Sequence, residues 1–125
     1  MPRDYGSLSA ALAASPDKHE GADYVQSGVT FFCGDLPEAE QQVVYATQGV
    51  PSADLFDQKV HGTAWKARPS WYIVGANDQT VNPELERFAA KRMGATVYDI
   101  QSSHVPMLSH PDVVIRAIRA AADAV

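Results

Sequence analysis

Two side chains that could perform acid–base chemistry follow two successive apolar segments in the second half of the chain. Asp78 lies two residues beyond the run Trp71–Ala76, and His104 lies four residues beyond Thr96–Ile100. A carboxylate bonded to one imidazole nitrogen fixes the ring tautomer and leaves the other nitrogen to act as a base. The spacing therefore predicts an acid–histidine pair, provided that the two segments are neighbouring strands.

The residues between the two segments are patterned as a helix. Asn82-Pro83 is typical of a helix start, and Gly94 is typical of a helix end. At helical spacing, an apolar stripe is formed by Leu85, Phe88, Ala89 and Met93. Strand, helix and strand in this order predict a parallel pair, whose carboxyl ends leave the sheet at one edge, where open α/β sheets bind ligands.

A second amphipathic helix is predicted to close the chain. Ser109 and Asp112 form a capping-box pattern around Pro111. The apolar positions that follow are Val114, Ile115, Ile118, Ala121, Ala122 and Val125. The last third of the chain is thus a βαβα unit, in which neighbouring strands about 4.8 Å apart would bring Asp78 and His104 within hydrogen-bond reach.

The first half of the chain is less regular. Residues 1–28 predict a loop or poorly ordered segment, with a short helix near Leu8–Ala14. Val29–Cys33 is a β-branched and aromatic run that favours an extended piece. Asp35 with Glu38 is a capping-box pattern, which predicts a helix through residue 46.

The stretch WYIVGANDQTVNPELERFAAKRMGATVYDIQSSHVPMLSHP resembles the C-terminal segment of small α/β-fold hydrolases of the esterase and hydroxynitrile-lyase-like branch. The resemblance covers roughly the last three quarters of the chain and is strongest from Arg68. It implies that Asp78 is the triad acid and His104 the triad base. It also implies that 29–67 is a helical cap-like segment, and that 68–125 is the βαβα half of an α/β-hydrolase core that acts on a small ester-type substrate.

The chain departs from this family in two places. Hydroxynitrile lyases of the branch carry lysine after the histidine, whereas Val105 stands here, which favours ester hydrolysis. The family places its nucleophilic serine in a G-x-S-x-G elbow, and this chain lacks that motif. The most similar stretch is Gly6-Ser7-Leu8-Ser9-Ala10, with leucine at the nucleophile position. We therefore expect a truncated C-terminal portion of a carboxylesterase-like serine hydrolase, inactive alone. The alternative is a non-enzymatic module that binds a partner, associates with itself or pairs with a complementing N-terminal half.

Each candidate residue also has an ordinary structural explanation. Asp78 could be a turn former, and His104 could be a loop histidine bonded to Ser102 or Ser103. Cys33 lacks the glycine of an elbow two positions upstream, and a lone cysteine is usually a small buried apolar residue. Several apolar side chains could line an acyl pocket or simply pack in the core: Leu55, Phe56, Trp65, Trp71 and Met107.

Composition narrows the class of protein further. The formal net charge is −5 and no basic cluster is present, so nucleic acid and anionic membranes are poor electrostatic partners. His19, His61 and His110 show no metal-ligand spacing, and neither a metal nor another cofactor is expected. The single cysteine and the lack of a signal-peptide pattern favour a cytoplasmic location.

Overall fold

The sheet of the described region consists of two parallel strands, β1 (Trp71–Gly75) and β2 (Thr96–Ile100). The computed structural model describes residues 29–47, 57 and 59–124. The other elements are a helical stretch at 29–33, helix α1 (Glu38–Ala46), a 3₁₀ turn (Ala64–Lys66), and helices α2 (Pro83–Met93), α3 (Pro106–Ser109) and α4 (Pro111–Asp123). The α/β class predicted from the sequence is confirmed.

The two strands pair in parallel along their whole length. Trp71 is opposite Thr96, and Gly75 is opposite Ile100. Just beyond the strand, the amide of Ala76 donates to the Ile100 carbonyl at 2.8 Å. The predicted parallel pairing is confirmed, and the loops that follow both strands leave the sheet at the same edge.

Helix α2 begins and ends where the sequence predicts. Asn82 caps it, since Asn82 Oδ1 accepts a hydrogen bond from the amide of Glu84 at 2.8 Å, and Pro83 is the first helical residue. Gly94 ends it in the left-handed conformation, with φ of 61°, which a residue without Cβ adopts at little cost. These two local signals fix the length of the helix that joins the strands.

The face of α2 that is buried is not the apolar stripe. Glu86 and Ala90 are its buried residues, and they lie four positions apart on one face of the helix that packs on β1. Phe88 is 53% exposed. The four stripe residues instead line an open cleft: Leu85, Phe88, Ala89 and Met93. The helical period was predicted correctly, but the apolar side faces the cleft rather than the sheet.

Helix α4 buries a different face from the predicted stripe, and none of its buried residues was among the predicted apolar positions. Val113 and Ala117 are buried where the helix packs on β1. Ile115 and Ile118, by contrast, are 47% and 62% exposed. Val125 lies outside the described residues.

The predicted capping box of α4 does not form. His110 is the N-cap residue and makes no side-chain capping bond. Ser109 lies in the last turn of α3, and its hydroxyl is 2.9 Å from His110 Nδ1. Because α3 runs almost directly into α4, the serine has no extended position from which to cap the second helix.

The prediction that Val29–Cys33 is extended is wrong, since residues 29–33 are helical. Cys33 Sγ donates to the carbonyl of Val29 four residues earlier, at 3.2 Å. A small core cluster contains Cys33, Leu36 and Val105, with Val29, Phe32 and Val44 packed against it. The spacing 29, 32, 33 and 36 is helical, and it outweighs the β-branched composition of the run.

The three predicted segments of the chain are described by the structure to different extents. Residues 1–28, with the predicted helix near Leu8–Ala14, lie outside the described residues. The described part of 29–67 contains three helical pieces, and its role as a cap stays a prediction. Within 68–125 the order of elements is the predicted one, with α3 as an additional short helix.

Gly75 ends β1 at a point where no side chain fits. A Cβ on this residue would lie 2.7 Å from the Ser103 carbonyl oxygen and 3.0 Å from that of Ser102. We predict that Gly75→Ala lowers the free energy of unfolding by about 1–3 kcal/mol, the usual cost of overpacking. Chemical denaturation measures the loss, and amide NMR shifts of residues 102–104 should move because their backbone must retreat.

Gly94→Ala is the matched control for this prediction. Gly94 has φ of 61°, but a Cβ on it would meet no atom within 4 Å, so this change should cost about 1–2 kcal/mol through backbone strain alone. The NMR shifts of residues 102–104 should then stay unchanged. Unaltered stability and shifts in Gly75→Ala would contradict the crowding argument.

Candidate active site

Asp78 and His104 meet at the shared edge of the two strands. Asp78 Oδ2 lies 2.7 Å from His104 Nδ1. The side chain of Asp78 is 1% exposed, whereas that of His104 is 31% exposed. The acid is therefore buried beside an imidazole that is partly exposed, and the contact expected from the strand-end spacing is present.

The loop after β1 holds the Asp78 carboxylate in one orientation. Asp78 Oδ1 accepts hydrogen bonds from the amides of Thr80 at 2.7 Å and Val81 at 2.9 Å. The amide of Asp78 itself donates to the carbonyl of Gly75 at 3.0 Å. With one oxygen held by the backbone, the other is directed at the histidine. Asp78 is thus a turn former as well as the partner of His104, and the two interpretations of this residue are compatible.

The electrostatic surroundings favour the protonated form of His104. The hydrogen bond with Asp78 raises the pKa of His104, burial opposes this, and the negative charges of Asp78 and Glu86 raise it further. An ionised Asp78 makes Nδ1 the hydrogen-bond donor, so that Nε2 is the nitrogen able to accept a proton. This is the arrangement that general base catalysis by histidine requires.

The loop that carries His104 is held by an acid from the first half of the chain. Asp35 Oδ2 accepts from the amide of Ser103 at 3.0 Å, and Asp35 Oδ1 accepts from the Ser103 hydroxyl. Burial pushes the pKa of Asp35 upwards, but hydrogen bonds from Ser103 and Ser109 outweigh it and hold the pKa below its usual range. The ring of Phe32 lies 5.0 Å from that of His104, centroid to centroid.

These contacts correct the prediction that Asp35 caps a helix. Helix α1 begins at Glu38 with Pro37 as its N-cap residue and without a side-chain capping bond. The carboxylate of Asp35 is instead committed to Ser103, 68 residues away in sequence. Likewise, the hydroxyl of Ser102 bonds to the Ser103 carbonyl at 3.1 Å, so the histidine ring is bonded to Asp78 rather than to either neighbouring serine.

A second buried carboxylate lies close to the pair. Glu86 is 8% exposed, and its Oε2 accepts a hydrogen bond from the amide of Gly75 at 3.0 Å. Burial, together with the negative charge of Asp78, raises the pKa of Glu86 to about 7. A glutamate off the apolar stripe of an amphipathic helix gives no sequence signal for such a position, and sequence reasoning missed it.

An open cleft of about 620 Å³ adjoins the histidine. Its described lining is mostly apolar and consists of Val60, Gly62, Thr63, Trp65, Tyr72, Val81, Leu85, Glu86, Phe88, Ala89, Arg92, Met93 and His104. Of the predicted pocket residues, Trp65 is among them, Trp71 and Met107 are not, and Leu55 and Phe56 lie outside the described residues. A mostly apolar cleft with a few polar groups is the usual form of a small-molecule site.

Cys33 is fully buried, as a small apolar residue would be. Burial and the charge of Asp35 raise the pKa of its thiol, which disfavours the thiolate needed for nucleophilic attack. Across the described residues, no group of three or more histidine, cysteine, aspartate or glutamate side chains is arranged to hold a metal ion. None of the helices in the same part of the chain is long and apolar enough to cross a membrane.

The family of the chain follows from comparison with known proteins. The model of the alpha/beta hydrolase family matches residues 2–117. This match covers most of the chain and includes both strands, Asp78 and His104. The chain belongs to the alpha/beta hydrolase family.

A curated relative gives the same family over a shorter stretch. The chain is similar to "Alpha/beta hydrolase nvfD" of Aspergillus novofumigatus, with 40% identity over 62 residues. The aligned part is 47% of this chain but only 24% of the relative, so the chain spans about a quarter of that protein's length in the match. No solved structure matches the chain.

The hydrogen bonds between Asp35 and Ser103 should contribute to the stability of the fold. We expect a double-mutant cycle with Asp35→Ala and Ser103→Ala to give a coupling free energy of about 1 kcal/mol, because a charged hydrogen bond is lost but the site is partly solvated. Urea denaturation of the unmodified protein, the two single variants and the double variant measures this coupling free energy.

The pair Asp35→Ala and Glu38→Ala is the control for this cycle. These two residues would be coupled if they formed a capping box, but Asp35 is bonded to Ser103 and helix α1 has no side-chain cap. Their coupling should be close to zero. The opposite ranking of the two coupling energies would show that Asp35 caps the helix in solution.

Proposed function

We propose that this chain carries the acid and the base of a serine hydrolase site of the esterase and hydroxynitrile-lyase-like branch. Asp78 is the acid and His104 the base. The observation that carries the proposal is the 2.7 Å contact between Asp78 Oδ2 and His104 Nδ1 at the edge of an apolar cleft. Membership of the alpha/beta hydrolase family supports the same assignment.

In the proposed reaction, His104 transfers a proton twice. Nε2 takes the proton of a serine hydroxyl as the oxygen attacks the ester carbonyl, and then gives it to the departing alkoxide, so that an alcohol leaves and an acyl-serine remains. Water repeats the two steps and releases the acid. Asp78 stays ionised throughout and stabilises the imidazolium form of His104. Val105, where a lyase of the branch carries lysine, favours ester hydrolysis.

We further propose that these 125 residues do not hydrolyse esters by themselves. No G-x-S-x-G sequence occurs among them, and an acid–base pair without a nucleophile and oxyanion donors has no acyl intermediate to form. The serine would have to be supplied by a polypeptide segment other than these residues.

A fluorophosphonate probe tests this proposal, since it labels activated serines covalently. We expect no labelling of the isolated chain, and hydrolysis of a p-nitrophenyl ester no faster than in buffer. Labelling of any serine in the isolated chain would overturn the statement that the nucleophile is missing.

The positive arm of the test supplies the missing nucleophile. A segment with a G-x-S-x-G elbow and its strands, taken from an active family member, is joined ahead of residue 1. Labelling should then appear, and Asp78→Asn should reduce its rate on the order of 10³–10⁴-fold. His110→Asn is the matched control, because His110 is bonded to Ser109 outside the pair, and it should label at the unaltered rate. A chimera that labels equally well with Asp78→Asn would refute the acid's role.

A non-enzymatic module that associates with itself or with another polypeptide is the second candidate. The exposed large apolar side chains favour it, among them Ile118 and Val43 at 62% and Val97 at 45%. Within the described region, each strand pairs only with the other strand. Exposed apolar residues next to open strand edges are a common basis for association.

Association predicts that the isolated chain is not a monomer at high concentration. Size-exclusion chromatography with light scattering should give a mass above 13.5 kDa, and Ile118→Lys should shift the distribution towards that value. Arg119→Lys, at an exposed position next to Ile118, is the control. A well-folded monomer at all concentrations would count against this candidate.

A further inference from the structure

We propose that Glu86 is a positioning residue of the acid–base pair: it holds the last amide of β1 and places a second negative charge beside His104. The inference rests on the proposed function for its catalytic meaning only, because the structural relation can be measured without any reaction. Glu86 makes no part of the acid–histidine contact itself and has no assigned role in the reaction written above.

The first observation that supports this role is the hydrogen bond between the Glu86 carboxylate and the end of β1. Its Oε2 accepts from the amide of Gly75 at 3.0 Å. Gly75 is the point at which the two site loops converge, since a Cβ there would lie 2.7 Å from the Ser103 carbonyl and 3.4 Å from Asp78 Cβ. By fixing this amide, Glu86 fixes the strand end from which the Asp78 loop departs and against which the His104 loop packs.

The second support is the burial of a charge that has no cation bonded to it in the described structure. Glu86 is 8% exposed, and Arg87, the next residue, is bonded to Asp99 and Glu84 on the exposed side of α2. A buried carboxylate without a paired cation is costly. Two cationic side chains line the same cleft as Glu86, Arg92 and His104. The guanidinium of Arg92 lies over the Trp65 ring, whereas the charge of His104 acts on Glu86 and can compensate it when the imidazole is protonated.

The titratable neighbours of Glu86 respond to one another in a consistent way. Burial and Asp78 raise the pKa of Glu86 to about 7, while the amide of Gly75 and the charges of His104 and Arg87 oppose the rise. From β1, Tyr72 also faces this group, and burial followed by the charges of Glu86 and Asp78 raises its pKa. Glu86 in turn contributes to the raised pKa of His104. Two carboxylates and one imidazole therefore act on one another's protonation.

A purely structural role and a charge role can be separated by the amide isostere. Glutamine keeps the volume of Glu86 and retains an oxygen that accepts from the Gly75 amide, but it carries no charge. If Glu86 only holds the strand end, Glu86→Gln leaves the titration of His104 unaltered. If Glu86 also acts on the imidazole by its charge, His104 becomes easier to deprotonate.

The test is an NMR titration of His104 in the full chain, using the imidazole carbon and nitrogen shifts across the acidic, neutral and mildly basic range. For Glu86→Gln we expect the proton-dissociation constant of His104 to rise about threefold or more, the size expected of a partly screened neighbouring charge. Glu84→Gln is the matched control, since it removes the same charge from the same helix at a side chain that is 77% exposed. It should leave the constant of His104 within the error of the measurement. An unchanged or smaller constant in Glu86→Gln would overturn the inference.

Two further measurements keep the result decisive. If Glu86→Gln does not fold, the carbon-13 carboxyl shift of Glu86 in the unmodified chain is followed instead. It should titrate at about pH 7, with a second inflection in the His104 signals at the same pH. Titration in the ordinary glutamate range with a single His104 inflection would refute the inference.

The variant Asp78→Asn separates the two proposals. No effect of this change on the titration of His104 would refute the acid–base pair. An effect of Asp78→Asn without an effect of Glu86→Gln would refute only the role of Glu86.

Discussion

Parallel pairing of β1 with β2 forces the loops after the two strands to share one edge of the sheet, and the site depends on this constraint. The loop after β1 carries Asp78, and the loop after β2 carries His104. Between them lies Gly75, whose lack of a side chain allows the Ser102 and Ser103 carbonyls to pass close to the strand end. The two loops are also joined directly, because the amide of Asn77 donates to the Ser102 carbonyl at 3.1 Å. Acid and base are thus held by backbone geometry before any side-chain interaction is considered.

Three carboxylates then act on this frame from different parts of the chain. Asp78 orients the imidazole, Asp35 holds the loop beside it through Ser103, and Glu86 holds the amide of Gly75. Each accepts at least one backbone hydrogen bond. For Asp78 and Glu86, which are buried, this offsets part of the cost of taking a charge out of water. The histidine is the only cationic group that these contacts place directly on Asp78 in the described structure. The negative charges of Asp78 and Glu86 favour the protonated form of the imidazole, the state in which a base has just received a proton.

The apolar face of α2 shows how the same helix serves both the core and the cleft. Ala90 and Glu86 face the sheet, while Leu85 and Met93 line the cleft next to His104. Hydrophobic periodicity reports that a helix has an apolar side, but a cleft wall and a core-facing side have the same period. The carboxylate of Glu86 is consequently found at a position where the pattern alone places a solvent-exposed residue.

The sequence by itself determined the local elements and the pairing of their ends. Asn82, Pro83 and Gly94 act within a few residues of themselves, so the bounds of α2 could be predicted, and the parallel order of the strands then placed Asp78 near His104. Tertiary structure alone decided what Asp35 and Glu86 do, because their hydrogen-bond partners lie 68 and 11 residues away and compete with local capping and with solvent. The capping pattern at Asp35 was misleading for this reason: a carboxylate that can cap a helix can equally accept from a distant amide and hydroxyl. Which of these two roles the Asp35 carboxylate has depends on the packing of residues 29–33 against Val105, and no local sequence pattern encodes that contact.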